Sequence, residues 1–346
     1  MDNVSEFWYI WVDTGGTFTD CLAQSPTGEI SRVKVLSTGR LRATVSMVLA
    51  QDQLVISCST TLPDNFLVGA NLIASTTGIQ VGEILQHDIR SGKCQLRRAM
   101  DHQLCSGELL ELDFGMEAPV LAARLITQTP PERPLPRAAF HLATTKSTNA
   151  LLERKGDPTA FVVTKGFKDL LKIGDQRRPD LFALNIDQAD PLHDLVFEFD
   201  ERMDALGDVL KPFDDEAFHQ LSDALLQAGF TTVAIAFLHA VQNSEHERKA
   251  REILQGKGIR HISCSSELAP FVKILPRAET SVVNAYLTPL MERYLDGVES
   301  ALSGGDFRIM TSAGGVVSRR DYRAKDSVFS GPAGGAGGAS TMAHPC

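Results

Sequence analysis

Residues Phe7–Asp20 read FWYIWVDTGGTFTD and carry the strongest structural pattern near the start of the chain. The first six residues are apolar or aromatic and Asp13 follows at once, which predicts a buried strand that ends at the acid. The Gly15–Gly16 pair then predicts a tight turn, and the runs Phe18–Ala23 and Ile30–Leu36 predict two further strands. The chain therefore begins with a strand that places an acidic residue beside two glycines.

The residue types in this turn suit a phosphate and a cation. Gly15 and Gly16 allow a positive φ and a close approach of backbone N–H groups to an anion. Asp13, at the strand end, can hold Mg²⁺ through its waters. The turn also carries hydroxyl donors, on Thr14, Thr17 and Thr19. The alternative is an ordinary Gly-Gly hairpin turn that binds nothing.

Length and composition describe a folded protein of more than one domain. The 346 residues are 43% hydrophobic and 22% charged, which predicts two domains and excludes disordered, collagenous and disulfide-scaffold chains. The net charge is -9 and no stretch concentrates Lys and Arg. Nucleic acid is therefore not expected as a partner.

Cysteine spacing and hydropathy predict a reduced, cytoplasmic protein. The six cysteines form no C-x-x-C pair and have no His at metal-ligand spacing. The N-terminus lacks the basic flank of a secretion signal, and no apolar run approaches the eighteen residues that a membrane span needs. We expect neither disulfides nor contact with a membrane.

Between Gly39 and Gln128 the pattern changes to short apolar stretches separated by Gly, Asp, Ser and Pro, which predicts a small all-β insert. Thr129–Pro136 follows with four prolines in eight residues, which excludes a helix and suits a stiff linker. Residues 39–136 are therefore predicted to be a β-rich insert closed by this linker.

After the insert the chain alternates strands and helices, which predicts an α/β domain. Strands are predicted at Ala160–Val163 and Val233–Leu238, and a helix from Asp214 to Ala228. Ser244 and Glu247 have capping-box spacing at the start of another helix.

The last part of the chain carries the longest helical pattern, Glu279–Leu302, in which Pro289 predicts a kink or a helix start. A strand is predicted at Phe307–Thr311 and another at Ser327–Phe329. The Gly-rich segment Ser330–Ala339 fits a flexible linker on composition alone.

Two further polar groups are candidates for binding. Thr144-Thr145 and Thr148-Asn149 lie at a predicted strand-to-helix junction, where unpaired helix N–H groups and small hydroxyls favour an anion, although a plain N-cap is the alternative. Arg177 and Arg178, with Asp180 in the same loop, can clamp a carboxylate or phosphate; a solvated charged loop is the alternative.

Two residues look reactive but are better explained as structural. His141 alternates with apolar neighbours, which favours a partly buried strand histidine over a catalytic one. Cys264 has no His in sequence reach and is expected to be a small packed residue.

Asp13–Asp20 matches the first phosphate motif of the actin-like ATPase and sugar-kinase superfamily. Later motifs resemble the signature of the hydantoinase A / 5-oxoprolinase family, and in order they are Leu142–Gly156, Val163–Gly174, Arg177–Leu181, Val282–Leu287 and Ser330–Gly335. Together these six ordered motifs cover the chain except its β insert.

The resemblance implies an α/β fold, namely the first lobe of an actin-like ATPase with a ribonuclease H-like sheet. Residues 1–38 would start that lobe with the phosphate loop, 39–136 would be the insert, and 137–346 would complete the lobe. The Gly-rich tail would then be the first interdomain helix, which places Gly331 and Gly334 at the nucleotide cleft.

The implied activity is the ATP-dependent opening of a cyclic amide, 5-oxoproline or a hydantoin. The γ-phosphate would pass to the amide oxygen, after which water can attack the carbonyl carbon. Asp13 would hold Mg²⁺ and is the catalytic candidate, while the Thr14–Thr17 turn would hold the phosphates. The resemblance does not identify which ring is opened. It also leaves both hydrolysis and carboxylation as the next step, because related acetone carboxylase subunits share these motifs.

Family members continue into a second lobe with another Asp-x-Gly-Gly-Thr loop and an adenosine-binding motif, and these 346 residues contain neither. We therefore expect a partner chain or a C-terminal segment to supply that lobe. The alternative function is a non-catalytic half-subunit, or a remnant, that needs a partner chain carrying the second nucleotide-binding lobe.

Overall fold

The computed structural model describes residues 7–58, 61–176, 182, 189–331 and 333. Contacts divide them into two compact units. Unit 1 comprises the described residues up to Thr148, Arg293–Tyr322 and those from Asp326 onward. Unit 2 comprises Asn149–Glu292 and Arg323–Lys325, with the same gaps in description.

The first part of the chain is mainly β-structure. Its elements are β1 (Trp8–Thr14), β2 (Phe18–Gln24), β3 (Ile30–Leu36), β4 (Arg40–Ala50), β5 (Gln53–Cys58), β6 (Asn71–Ala74), β7 (Gln80–Asp88), β8 (Lys93–Leu96), β9 (Leu109–Asp113), α1 (Ala118–Ile126) and β10 (Ala138–Thr144).

The second part alternates helices and strands. Its elements are α2 (Lys146–Leu152), β11 (Ala160–Thr164), α3 (Leu170–Ile173), β12 (Leu195–Phe199), β13 (Arg202–Met203), β14 (Val209–Lys211), α4 (Asp215–Gln227), β15 (Thr232–Ala236), α5 (Glu245–Gly256), β16 (His261–Cys264), α6 (Ser265–Leu268), α7 (Ile274–Ser300), β17 (Gly305–Met310), β18 (Val316–Ser318) and a 3₁₀ turn (Ala324–Ser327).

Unit 1 is built on a six-stranded sheet with the order β18-β17-β10-β1-β2-β3. β1, β10 and β17 run parallel, while β2 pairs antiparallel with both β1 and β3. The carboxyl ends of β1 and β10 therefore lie side by side, with Thr14 opposite Thr144. The predicted strand–turn–strand–turn–strand start of the chain is confirmed.

The two faces of β1 differ, which corrects the expectation of a wholly buried strand. Ile10 and Val12 are buried, whereas Tyr9 and Trp11 are exposed. Helix α1 packs against β1, β2 and β3. The apolar run did not predict these exposed residues, because large aromatic side chains can line an accessible sheet face as well as a core.

A closed barrel with the order β4-β5-β8-β7-β6-β9 occupies residues 40–113. Its interior is filled by fully buried side chains such as Leu54, Leu72 and Leu110. The chain enters at Gly39, whose φ is +74° and where an added Cβ would lie 2.3 Å from the carbonyl oxygen of Met116. The segments that enter and leave the barrel thus lie close together at Gly39. A residue with a side chain at this position would force them apart.

Helix α1 contradicts the prediction of an all-β insert up to Gln128. It begins after Glu117, with Pro119 in its first turn, and packs on the first sheet rather than closing the barrel. The segment after it contains no helix, and Arg124 holds it by donating hydrogen bonds of 2.8 Å to the carbonyls of Pro130 and Arg133. The domain boundaries at residues 38 and 136 stay predictions.

Unit 2 is built on a parallel sheet with the order β12-β11-β15-β16. Every residue of β11 and β15 is buried, because both sheet faces are covered. On one face Val162 and Ile235 pack with residues of α4 and α5, and on the other Phe161 packs with α7. This confirms the predicted alternation of strands and helices.

The expected capping box at Ser244 is wrong. Ser244 makes no side-chain cap, and the Asn243 side chain accepts from the Glu245 N–H instead. Glu247 is fully buried, where its carboxylate accepts from the N–H of Phe237 at 2.9 Å and from Ser265 at 2.6 Å.

Helix α7 passes through Pro289 without ending, so this proline is neither the start nor the end of the helix. The strand predicted at Ser327–Phe329 is also wrong, since Ala324–Ser327 forms a 3₁₀ turn and a helical residue follows at Ser330. Across the described ranges, no helix combines the length and the apolar character that crossing a membrane requires.

Candidate functional site

One face of the six-stranded sheet in unit 1 borders a cleft of about 610 Å³. The cleft lies over the carboxyl-terminal halves of β1 and β10 and over their neighbours β2, β3 and β17. Its charged or titratable lining residues are Asp13, Asp20, Arg32, Lys34, Cys21 and His141. Because side chains alternate between sheet faces, residues from several strands converge here.

Asp13 and Asp20 face each other across the β1–β2 pair. Lys34 on β3 binds Asp20 with a distance of 3.0 Å between Nζ and Oδ2. Within the described ranges no donor is found against the Asp13 carboxylate. Withdrawal of water by the cleft walls, and then the charge of Asp20, raise the pKa of Asp13. This arrangement favours a cation beside Asp13, since a positive charge would offset both effects.

The turn between β1 and β2 consists of Gly15, Gly16 and Thr17. Gly15 donates its N–H to the carbonyl of Phe18 at 3.0 Å, and an added Cβ would lie 3.0 Å from that oxygen. The φ of Gly15 is not in the left-handed region, so the close approach to Phe18, and not a positive φ, is what requires glycine. Gly16 and Thr17 are exposed.

The other two threonines of the motif point into the protein. Thr14 is buried and its hydroxyl accepts from Tyr294 at 3.1 Å, while Thr19 is fully buried and hydrogen-bonds Ser37 at 3.0 Å. Their hydroxyls therefore fix the strand ends, and Thr17 alone of the three exposes its side chain.

The Thr144–Asn149 segment joins β10 to α2. Thr144 is buried and its hydroxyl accepts from the N–H of Lys146, the first residue of α2, whereas an N-cap side chain accepts from the second or third residue of a helix. Thr145 donates its N–H to the carbonyl of Thr14 at 2.9 Å and so ties the two strand ends together. Thr148 donates to the carbonyl of Val328, and Asn149 follows on the same helix in unit 2.

Ser330 and Gly331 reach the same region of unit 1. The Ser330 hydroxyl donates to the carbonyl of Thr144 at 2.9 Å. Gly331 lines the cleft, and an added Cβ would lie 3.2 Å from the methyl group of Thr145. The structure thus brings three predicted segments together: the turn after β1, the start of α2, and Gly331. Arg177, Arg178, Asp180 and Gly334 lie outside the described residues.

His141 forms part of the cleft wall, where it stacks on Trp11 with ring centroids 6.1 Å apart. It is a partly buried strand residue, as predicted, and burial lowers its pKa, so it is neutral at pH 7. Sequence reasoning missed its place in the cleft, and it missed Lys34 and Tyr294 as well. Only the strand register reveals that His141 and Lys34 line the cleft. No sequence signal marks Tyr294, which is 280 residues from its partner Thr14.

Metal-ion clusters and accessible cysteines are two further kinds of reactive group. No group of three or more His, Cys, Asp or Glu side chains in the described part of the chain could hold a metal ion. The five cysteines that it includes are free, and Cys264 is a packed residue at 1% exposure, as predicted. Burial raises the pKa of the Cys21 thiol in the cleft to about 12, which keeps it protonated and unreactive.

Solved structures resemble this architecture. The nucleotide-free structure of acetone carboxylase aligns over 96% of this chain and 40% of its own, with a TM-score of 0.59 at 19% identity. The ATP-dependent caprolactamase of Pseudomonas jessenii aligns over 60% of this chain and 32% of its own, with a TM-score of 0.52 at 28% identity.

The relatives found by sequence comparison are longer than this chain. The 5-oxoprolinase of Saccharomyces cerevisiae is 36% identical over 268 residues, and 5-oxoprolinase 1 of Arabidopsis thaliana is 37% identical over 256. These alignments cover 66% and 65% of this chain, but only 21% and 20% of the relatives. The chain therefore spans about a fifth of the length of these relatives.

Family models match most of the sequence. The model of the hydantoinase/oxoprolinase N-terminal region matches residues 9–119 and 122–258, and that of hydantoinase/oxoprolinase matches residues 277–345. The matches include the turn after β1, the start of α2 and the Ser330–Gly335 motif. The chain therefore belongs to the hydantoinase/oxoprolinase family.

Proposed function

We propose that this chain is the N-terminal portion of an ATP-dependent enzyme that opens a cyclic amide, with 5-oxoproline and hydantoins as the substrate class. The observation that carries the proposal is the Asp13 carboxylate, which faces Asp20 at the end of β1 in an open cleft. Family membership and the 5-oxoprolinase relatives support the reaction class.

The fold supports a nucleotide role for this edge of the sheet. The order β3-β2-β1-β10-β17, in which β2 alone is antiparallel to the others, is that expected of the first lobe of an actin-like ATPase. In open α/β sheets, ligands bind outside the carboxyl ends of the parallel strands. We assign the Gly15–Thr17 turn and the adjoining Thr144–Thr145 segment to that position.

The residues present fit Mg²⁺ and ATP. Asp13 is the candidate metal residue, because its accessible carboxylate has an acid opposite it and gains from a cation. The exposed backbone of Gly16 and Thr17, with the Thr17 hydroxyl, is available to phosphate oxygens. Thr14 and Thr19, which flank this turn, are held by Tyr294 and Ser37, and the Thr145 N–H binds the carbonyl of Thr14.

ATP supplies a phosphoryl group that activates the lactam oxygen, so that water can open the ring. This chain would position the nucleotide and help to neutralise its charge: Asp13 would hold the cation, and the turn would orient the phosphates. We propose Arg177, Arg178 and Asp180 as substrate residues, and Gly331 and Gly334 as residues of the nucleotide cleft. No general base is assigned among the described residues.

The remaining contacts to the nucleotide are proposed to come from the rest of the protein, since the relatives are about five times as long as the part matched. One relative, the caprolactamase of P. jessenii, is described as a subunit alpha, which supports a partner chain as the source. In the alternative function this chain is a non-catalytic half-subunit, and it would then bind its partner without using ATP.

The test is ring opening by the complete protein with Mg²⁺ and ATP, using 5-oxoproline and hydantoin in parallel. We expect ATP- and Mg²⁺-dependent opening of at least one of them, and loss of more than a hundredfold in activity in Asp13→Asn. Asp306→Asn is the matched control, because Asp306 is also on this sheet but is not a cleft residue. Undiminished activity of Asp13→Asn would remove Asp13 from the metal site, and no opening of either ring would reject the substrate class.

A further inference from the structure

Tyr294 is a buried residue of α7 whose hydroxyl is not needed for packing. Its exposure is 2%, and neighbouring side chains on the same helix, such as Met291, Leu295 and Val298, are fully buried and apolar. A phenylalanine would fill such a position, because burying a hydroxyl is unfavourable unless it is hydrogen-bonded. The hydrogen bond that the hydroxyl makes therefore explains why this position is a tyrosine and not a phenylalanine.

The Tyr294 hydroxyl joins α7 to the ends of two strands. It donates to the Thr14 hydroxyl at 3.1 Å, and the Thr144 side chain is close enough to lower the pKa of the phenol. Thr14 is the last residue of β1 and Thr144 the last of β10. Burial raises the pKa of Tyr294, so the phenol stays protonated and can donate.

The ring of Tyr294 is held as firmly as its hydroxyl. The Lys146 ammonium lies 4.2 Å from the ring centroid, a cation–π contact, and 3.3 Å from the Glu117 carboxylate. Lys146 opens α2 and Glu117 precedes α1. The ring therefore contacts a side chain from the start of α2 that is itself paired with the residue before α1.

Thr14 transmits this restraint to the turn. Its carbonyl accepts from the N–H of Thr145, its hydroxyl accepts from Tyr294, and the next residue is Gly15. The Gly15 N–H is in turn held by Phe18. The backbone that enters Gly16 and Thr17 thus begins from a residue fixed on both sides.

We propose that Tyr294 is a positioning residue for nucleotide binding, which acts through Thr14 to hold the Gly15–Thr17 turn in a phosphate-ready conformation. This rests on the proposed function. Preorganisation of this kind lowers the ordering cost that a ligand would otherwise meet on binding.

The experiment is a double-mutant cycle in the full-length protein with Tyr294→Phe, Thr14→Val and the double variant. We expect each single variant to raise the KM for ATP about fivefold, the factor that one hydrogen bond of about 1 kcal/mol corresponds to. The double variant should be no worse than either single one, and the KM for the cyclic amide should not change. Tyr286→Phe, two turns earlier on the same helix, is the control and should leave the KM for ATP unchanged.

Two results would overturn the proposal: an unchanged KM for ATP in Tyr294→Phe, or effects of the two variants that multiply to about twenty-five-fold, since independent sites add in free energy. Amide hydrogen exchange without nucleotide separates this proposal from the proposed function. Faster exchange in residues 15–17 of Tyr294→Phe supports the restraint even if the wild-type protein does not use ATP, and unchanged exchange rejects it.

Discussion

In the six-stranded sheet of unit 1, β1 alternates buried and exposed residues and its acid, Asp13, faces an open cleft. In the four-stranded sheet of unit 2, β11 and β15 are buried on both faces, and the acid Glu247 on α5 is enclosed. The two acids therefore illustrate a charge that is paired within the fold and a charge that is open to the cleft. Glu247 has its hydrogen bonds satisfied by the protein, whereas Asp13 faces another acid, and burial together with that acid raises the pKa of Asp13.

The Glu247 cluster shows what a charge does when it stabilises a fold. Arg277 is fully buried, lies 3.8 Å from Glu247 and donates to the carbonyl of Phe237 at 2.9 Å. Ser265 hydrogen-bonds to both residues. Helices α5 and α7 are therefore joined to the end of β15 by one buried polar network, and removal of any member leaves others unpaired.

The largest expected effect comes from Glu247→Ala. It leaves the Arg277 charge buried without its counter-ion, which should lower the free energy of unfolding by about 3–5 kcal/mol. Asp13→Ala should change it by no more than about 0.5 kcal/mol, because Asp13 is exposed in the cleft. Denaturant unfolding checks both, with the exposed Glu252→Ala on α5 as a control. Equal losses of stability in Glu247→Ala and Asp13→Ala would show that the two acids do not differ in their contribution to folding.

A smaller effect is expected at Gly156 in unit 2. An added Cβ would lie 2.2 Å from the Tyr286 ring, so Gly156→Ala must displace an aromatic side chain that is itself buried. Overpacking of this kind should cost about 1–3 kcal/mol. Gly256→Ala on α5 is the control, because an added Cβ meets nothing within 4 Å there and alanine favours the helix. Thermal unfolding of both variants measures the cost. A Gly156→Ala protein as stable as the wild type would show that the Tyr286 side chain can move aside without loss of stability.

The smallest effect concerns pH and His193 of unit 2. Both ring nitrogens are buried without a partner among the described residues, the ring stacks on Phe161, and burial lowers the pKa below 6.5. The unfolded chain therefore takes up a proton that the folded protein resists. This contribution to stability is present above about pH 6.5 and is lost as the pH falls below it.

Replacing His193 by Phe should reduce the loss of stability between pH 7.5 and 5.5, by at most about 1.4 kcal/mol for each pH unit below 6.5. His219→Phe serves as a control for the loss of an exposed histidine. The measurement is urea unfolding at both pH values. If His193→Phe and the wild type lose the same stability, His193 is not a group that the fold keeps neutral.

Local pattern predicted much of the fold, and it failed where tertiary partners decide. The strand–turn start, the alternation of unit 2 and the long helix α7 follow from periodicity. The spacing of Ser244 and Glu247 fits a capping box, yet Glu247 turns inward because Phe237, Ser265 and Ser266 offer it donors. No sequence spacing reveals partners that only folding brings near.

The candidate site shows the same division. Asp13 and the glycine turn are adjacent in sequence, so their chemistry could be predicted together. The phosphate role of the threonines stays a prediction, and the sequence did not reveal that the Thr14 hydroxyl would accept a hydrogen bond from Tyr294. Likewise the apolar run at β1 did not reveal that Trp11 would line the cleft beside His141.

We propose that the strand ends of unit 1 bind the phosphates of Mg²⁺-ATP through Asp13 and the adjoining turn. An NMR titration of the 346-residue chain with Mg²⁺-ATP would detect this, because amide shifts report even roughly millimolar binding. We predict shifts in the amides of residues 15–17 and 144–145 that are lost in Asp13→Asn. Shifts confined to the barrel or to unit 2, or shifts that are the same in Asp13→Asn, would contradict the account.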